Sequence, residues 1–264
     1  MPGAGSHKVK SALVRGTGIK LVERCCGLGR SIIGSTSMQT SMLHTPLAAT
    51  ESELTARQVV ILFPTPMFTG KLSDIGICDR VEQTIRELQK SGKGRSSPKG
   101  AGPAFMTSDN LHTLPAMKEL VDVVMGESKK VLDAYSIKRD SHYITSMWAN
   151  ITHPNNRQNM HVHPNCLLSG LVYIKTPLNC APTMFAAARR LTKNFEPEYL
   201  ERNDLNSDFF IMPAEKGRML IWPSHVPHAV EQGTADQTEE RIVVAFNVMI
   251  RGHIDLLTAH LDLS

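Results

Sequence analysis

Aromatic residues make up only 5% of this 264-residue chain. No basic stripe is interleaved with them, which argues against a stacking platform for single-stranded nucleic acid. No run of about 18 apolar residues occurs, so no segment reads as a membrane-spanning helix. Regularly spaced cysteines are also missing. Cys25, Cys26, Cys78, Cys166 and Cys180 form no CxxC and no disulfide framework, and none sits in a motif for nucleophilic catalysis. A reducing intracellular compartment, cytoplasmic or organellar, is the default expectation. No internal repeat recurs at a fixed period.

Acidic residues are nearly absent from the start of the chain. Residues 1–50 hold six of the 29 Lys and Arg but one of the 25 acids, Glu23, so the remainder carries 23 basic against 24 acidic residues. The net charge of +4 therefore belongs to the leader. A basic, hydroxyl-rich, acid-poor leader fits an organelle transit peptide, and equally a disordered arm. The expected organisation is a leader over 1–55 and a single domain over 56–264. An apolar content of 41% and a charged content of 20% fit an ordinary globular body with a substantial core.

Within that body, residues 58–63 form a β-branched run stopped by Pro64 and Pro66, which reads as a strand. Leu72, Ile75, Cys78, Val81, Ile85 and Leu88 recur at helical spacing, with Ser73 or Asp74 as the cap. Residues 91–102 read as a mobile loop. Thr113 is placed to cap a second helix with Leu114, Met117, Leu120, Val121, Val124, Val131, Leu132 and Tyr135 on its buried face. From residue 143 onward the character changes to short apolar or alternating runs, 143–151, 159–163, 167–175, 183–188, 209–212, 218–222 and 241–250. Many short strands between turn signals predict an antiparallel sandwich or barrel, with the two helices packed outside it.

His161-Val162-His163 is the first feature with chemical content. On a strand, residues two apart point to one side, so two imidazoles would project together. Neutral imidazole is a common metal ligand. HxH by itself is equally compatible with surface or core histidines. A third histidine follows at His228, and Arg241 opens an apolar strand thirteen residues later. A buried arginine must meet an anion. Its planar fork suits a carboxylate, or else a structural partner such as Glu239 or Glu240.

In this order, Trp148-Ala149-Asn150, His161-Val162-His163-Pro164, Leu168 to Tyr173, Gly217 to Ser224 with His228, Arg241 and Phe246-Asn247 resemble the Fe(II)- and 2-oxoglutarate-dependent oxygenases of the prolyl-hydroxylase-like superfamily. Phe63-Pro64-Thr65-Pro66 is similar to that family's opening, and the resemblance covers roughly residues 58–250. It implies a mainly β fold with flanking helices around a double-stranded β-helix, or jelly-roll, core. It further implies that Fe(II) is held by His161, His163 and His228, and that 2-oxoglutarate is bound through Arg241. Asn150, Ser169 and Tyr173 are further candidates for contacts to the cosubstrate.

The chain departs from the family pattern at His163, where most members carry Asp. No Asp or Glu occurs between His163 and Glu196, so no neighbouring acid replaces it. The departure raises the net charge of the site by one, which a dianionic cosubstrate can offset. A hydroxyl two residues after the arginine is also missing, since Val243 stands there. The implied partners are O2 and a small-molecule or peptide substrate, with neither nucleic acid nor membrane.

Two other classes fit part of the pattern. A three-His zinc site would activate water for hydrolysis or hydration, but gives Arg241 no task. A non-catalytic jelly-roll binding protein would leave the histidines without a function.

Overall fold

The computed structural model describes residues 64–97, 102–187, 198–201, 203, 206–233, 239–256 and 259–264. It also describes the backbone of three strands nearer the start, β1 (Val9–Arg15), β2 (Gly18–Arg24) and β3 (Val59–Val60). The chain divides into two compact units, Met1–Thr65 and Pro66–Ser264. In the first unit, β1–β3 pair antiparallel in the order β2-β1-β3. The leader otherwise lies outside the described residues, as do 61–63 of the expected first strand.

The second unit opens with β4 (Phe68–Lys71), α1 (Gly76–Lys90), β5 (Gly94–Arg95), β6 (Phe105–Thr107) and α2 (Lys118–Ala134). There follow β7 (Ser141–Thr152), β8 (Gln158–His161), β9 (Leu168–Lys175), β10 (Thr183–Ala186), β11 (Phe209–Met212), β12 (Arg218–Pro223), β13 (His228–Val230) and β14 (Arg241–Arg251). A closing hairpin pairs β15 (His253–Leu256) with β16 (Ala259–Asp262). A seven-stranded sheet has the order β4-β12-β9-β14-β7-β6-β5, and a four-stranded sheet the order β11-β10-β13-β8. All their pairings are antiparallel. This is the expected mainly β architecture with flanking helices and a jelly-roll core.

Strand alternation sends the large sheet's side chains into two separate cores. Val172 and Ile174 of β9, Met219 and Ile221 of β12, and Val244, Phe246 and Val248 of β14 face one way. They pack with Ile77, Cys78, Val81 and Ile85 of α1 and Leu120, Val124, Val131 and Leu132 of α2. The alternate residues Leu171, Tyr173, Leu220, Trp222 and Val243 face the other way and meet Phe185 and Met212 of the small sheet. Because both faces are buried, β9 and β14 read as nearly continuous apolar runs. Each fully buried Leu, Ile or Val on these faces contributes about 1.5–3 kcal/mol.

Local details depart from the sequence reading in three places. Asp74 does serve the start of α1, since its Oδ1 accepts the Gly76 N–H at 2.8 Å, but Ile75 is 43% exposed and leaves the buried face. Thr113 does not cap α2. It closes a 3-10 turn, donating its hydroxyl to the Asn110 carbonyl at 2.8 Å, and a second 3-10 turn over Pro115–Met117 precedes the helix. The proline at the head of that second turn restricts the backbone, so the helix starts later. The expected loop over 91–102 contains β5, paired with β6 at the sheet edge.

Gly170 sits where β9 passes under Phe246. A Cβ there would lie 2.2 Å from Phe246 Cζ and 2.7 Å from the Leu220 carbonyl oxygen, and the latter is backbone that cannot rotate away. Gly170→Ala is expected to destabilise the fold by about 1–3 kcal/mol, read as a lower midpoint in thermal unfolding. A midpoint equal to wild type would contradict this packing.

Candidate metal centre

The strand pairing brings the three histidines together. His228 opens β13 and pairs directly with His161 at the end of β8. The HxH pair is not all on a strand, as expected from sequence, because β8 ends at His161. His163 lies on the turn that follows, held by its backbone N–H to the Ser224 carbonyl at 3.2 Å. Asn165 continues the turn with φ +59°, a left-handed conformation that asparagine tolerates. The three residues offer nitrogen atoms that all lie within 4.8 Å of one another. Ring centroids are 4.3 Å apart for His161–His228, 4.9 Å for His163–His228 and 5.1 Å for His161–His163.

Each imidazole has an oxygen on its Nδ1 side. His161 Nδ1 is 2.8 Å from the Asn159 carbonyl, His228 Nδ1 is 3.1 Å from the Val226 carbonyl, and His163 Nδ1 is 2.7 Å from Asn247 Oδ1. These oxygens accept a proton, which places the proton on Nδ1 and the lone pair on Nε2. At His161, the Gln158 Nε2 lies 3.3 Å from Nε2 and occupies that lone pair. Burial pushes the His228 pKa down to about 3, with His161 adding to the effect. Burial also lowers that of His163, against the opposing hydrogen bond to Asn247. Both rings therefore stay neutral at physiological pH, the state a metal requires. Three imidazoles, two on the paired strands β8 and β13 and one on the turn after β8, fit a divalent transition metal.

Arg241 opens β14 on the inner face and is only 2% exposed. Glu239 pairs with Lys175 at 2.8 Å and Glu240 with Arg86 at 2.5 Å, so neither acid partners it. Among the described residues Arg241 meets no carboxylate. Its Nη2 donates to Thr183 Oγ1 at 3.2 Å, its guanidinium lies 5.1 Å from the centroid of the Tyr173 ring, and its Nε has no partner. Tyr173 hydroxyl and Thr183 Oγ1 are 2.7 Å apart. A buried cation with an unused N–H fits an anionic ligand.

The other sequence candidates fall on two sides of this arrangement. Tyr173 lies beside Arg241. Asn150 is 4% exposed with its Oδ1 unpartnered. Ser169 is fully buried, and its hydroxyl donates to Asn247 Oδ1 at 2.9 Å. Thr183 and Asn247 carry roles that sequence reasoning did not assign. Asn247 belonged to a quoted motif, but only the pairing of β14 with β9, which sets Asn247 opposite Ser169, shows what it touches. A cavity of about 670 Å³ opens against His161, His163, Asn247 and Trp148, with Arg95 and Asp109 in its wall.

Residues 146–247 match the family model described as "Putative 2OG-Fe(II) oxygenase". Over that segment the chain is similar to the 2-oxoglutarate- and Fe(II)-dependent oxygenases. Solved structures agree in fold. A prolyl-4-hydroxylase from Pseudomonas putida matches at 10% identity and TM-score 0.50, over 71% of this chain and 94% of that one. The non-heme alpha-ketoglutarate-dependent epimerase SnoN matches at 11% identity and TM-score 0.54, over 76% of this chain and 88% of that one. SnoN in complex with Fe3+, alpha-ketoglutarate and nogalamycin RO matches at 12% identity and TM-score 0.52, over 76% and 89%. No curated protein sequence matches the chain.

An unpaired buried charge also has a cost in the ligand-free protein. Arg241→Met keeps most of the volume and removes the charge, and is expected to raise ligand-free stability by roughly 1–4 kcal/mol. Differential scanning calorimetry without metal or cosubstrate checks this, and a lowered midpoint would mean that Arg241 has a compensating partner.

Proposed function

We propose that His161, His163 and His228 hold Fe(II) through Nε2, that Arg241 holds the distal carboxylate of 2-oxoglutarate, and that the enzyme thereby hydroxylates a small-molecule or peptide substrate in the cavity beside His161 and His163. When bound, iron and 2-oxoglutarate supply O2 activation, with release of succinate and CO2. The observation that carries the assignment is the buried Arg241, which meets no carboxylate among the described residues. A zinc hydrolase gives this residue nothing to do, and a binding scaffold gives no reason for its cost.

The spacing supports the pairing of the two sites. Thr183 touches Arg241, while Phe185 pairs with His228. The two are two residues apart on β10, about 7 Å along an antiparallel strand. A five-carbon dicarboxylate spans such a gap, with its 2-oxo acid end toward the histidines and its other carboxylate toward the guanidinium. Tyr173 and Thr183 orient the guanidinium from the side. Asn150 has a free acceptor on the same inner face. The apolar walls of Leu171, Leu220 and Val243 between the two sites exclude water and strengthen the charge interactions. Among the described residues no helix is long and apolar enough to cross a membrane.

Two measurements on the anaerobic protein test this reading. His161→Ala and His228→Ala are each expected to lose most bound Fe(II), because each removes one of three ligands. Unchanged iron stoichiometry in both would mean that the ligands are misassigned. Arg241→Ala is expected to leave iron content nearly intact. Losing one partner of a buried charge pair costs on the order of 2–5 kcal/mol, or roughly thirty- to several-thousand-fold in 2-oxoglutarate affinity. Arg241→Lys should recover only part of it, since a point charge does not reproduce the fork. Equal cosubstrate affinity in wild type and Arg241→Ala would sink the assignment. Substrate-stimulated succinate formation across a compound and peptide panel then identifies what the cavity accepts.

A further inference from the structure

We propose that Asn247 is the positioning residue that makes His163 a metal ligand. The inference rests on the three-His reading above and extends it to the position where most of the family carries a carboxylate. A carboxylate presents oxygen lone pairs whichever way it is turned. An imidazole coordinates only from an unprotonated nitrogen, so a histidine in that place needs a neighbour that fixes its proton.

Asn247 has the geometry for that role. Its Oδ1 lies 2.7 Å from His163 Nδ1 and 2.9 Å from the donating Ser169 hydroxyl, and its Nδ2 donates to Ser146 Oγ at 3.0 Å. All three side chains sit on one rung of the large sheet, since Ser146 and Ser169 are the direct neighbours of Asn247 on β7 and β9. Asn247 is 9% exposed and Ser169 fully buried. The amide is thus clamped on both sides.

The opposite amide orientation would aim Nδ2 at His163. Nδ1 would then have to accept, the proton would move to Nε2, and the nitrogen facing the other two histidines would lose its lone pair. The alternative holders are few. His161 leans on the Asn159 carbonyl within β8, and His228 on the Val226 carbonyl of the turn before β13. Of the three, His163 alone leans on a side chain. The Trp148 ring, 5.5 Å away by centroid, limits its tilt but cannot fix its proton.

The test compares two substitutions that a packing role and a proton-fixing role rank in opposite order. Asn247→Leu keeps the volume and removes the acceptor. Asn247→Asp keeps the acceptor and buries a charge. Co(II) is the probe, with affinity measured by competition and coordination by visible absorption, on the full chain without 2-oxoglutarate. Loss of a hydrogen-bond partner to a metal-bound histidine typically costs about 10–100-fold in metal affinity. Asn247→Leu should lose Co(II) affinity by that factor and change the absorption bands. Asn247→Asp should stay within a few-fold of wild type with its bands preserved. If Asn247→Leu fails to fold, Ser146→Ala frees the amide nitrogen and should lower Co(II) affinity a few-fold. Wild-type affinity in Asn247→Leu, or in Ser146→Ala where that variant stands in, overturns the inference while leaving the three-His centre intact. So does a larger loss in Asn247→Asp than in Asn247→Leu. Wild-type protein that binds no Co(II) overturns the centre itself, and the inference with it.

Discussion

Strands β9 and β14 are buried on both faces, and the rest of the domain follows from that constraint. One face must be covered by α1 and α2, so its residues are plain hydrophobes. The other closes against the small sheet, and there polar side chains such as Arg241, Ser169 and Asn247 are held away from water. Within β14, Val244 and Phe246 belong to the first face and Arg241 and Asn247 to the second. Alternation along a single strand thus separates the residues that stabilise the domain from those that equip it. The tight fit at Gly170 belongs to the same constraint, because a strand packed on two sides has no direction in which to yield.

The inner face is built at a cost. Among the described residues Arg241 is buried without an acid, its Nε unpartnered, and Asn150 and Trp222 also leave buried polar atoms without partners. Each such group loses hydration that the protein does not replace. Folding tolerates them because the helix-facing core is large and regular. Of these, the Arg241 Nε–H is a donor that the proposed carboxylate could take up without breaking an intramolecular bond.

Much of this was legible from residue spacing. HxH, a distant His228 and Arg241 at the head of an apolar run were visible, as were the two helices and most strands after residue 140. The boundaries were less so. Val162 and His163 look like strand residues by composition, but β8 stops at His161, where pairing with β13 ends. Residues 91–102 look like loop because Gly, Ser and Lys dominate, but two residues there gain sheet hydrogen bonds from β6, which local composition cannot reveal. The support role of Asn247 was invisible for a similar reason. Its partners Ser146 and Ser169 are 101 and 78 residues away, and only the strand register makes them neighbours. Thr183 was missed likewise, since a threonine in a short strand carries no signal until Tyr173 and Arg241 are seen around it.

On the proposed ligand set, the metal pocket contributes imidazoles and no negative charge of its own. A divalent ion there, together with the nearby guanidinium, would carry a positive charge that an incoming anion offsets. Ion and cosubstrate therefore favour each other's retention, and by thermodynamic necessity they do so by the same factor. An enzyme of this kind tracks the supply of two solutes jointly. On that ligand set, a scarce dicarboxylate would leave the iron held less firmly, and the protein would fall idle by losing its metal rather than by waiting with it in place.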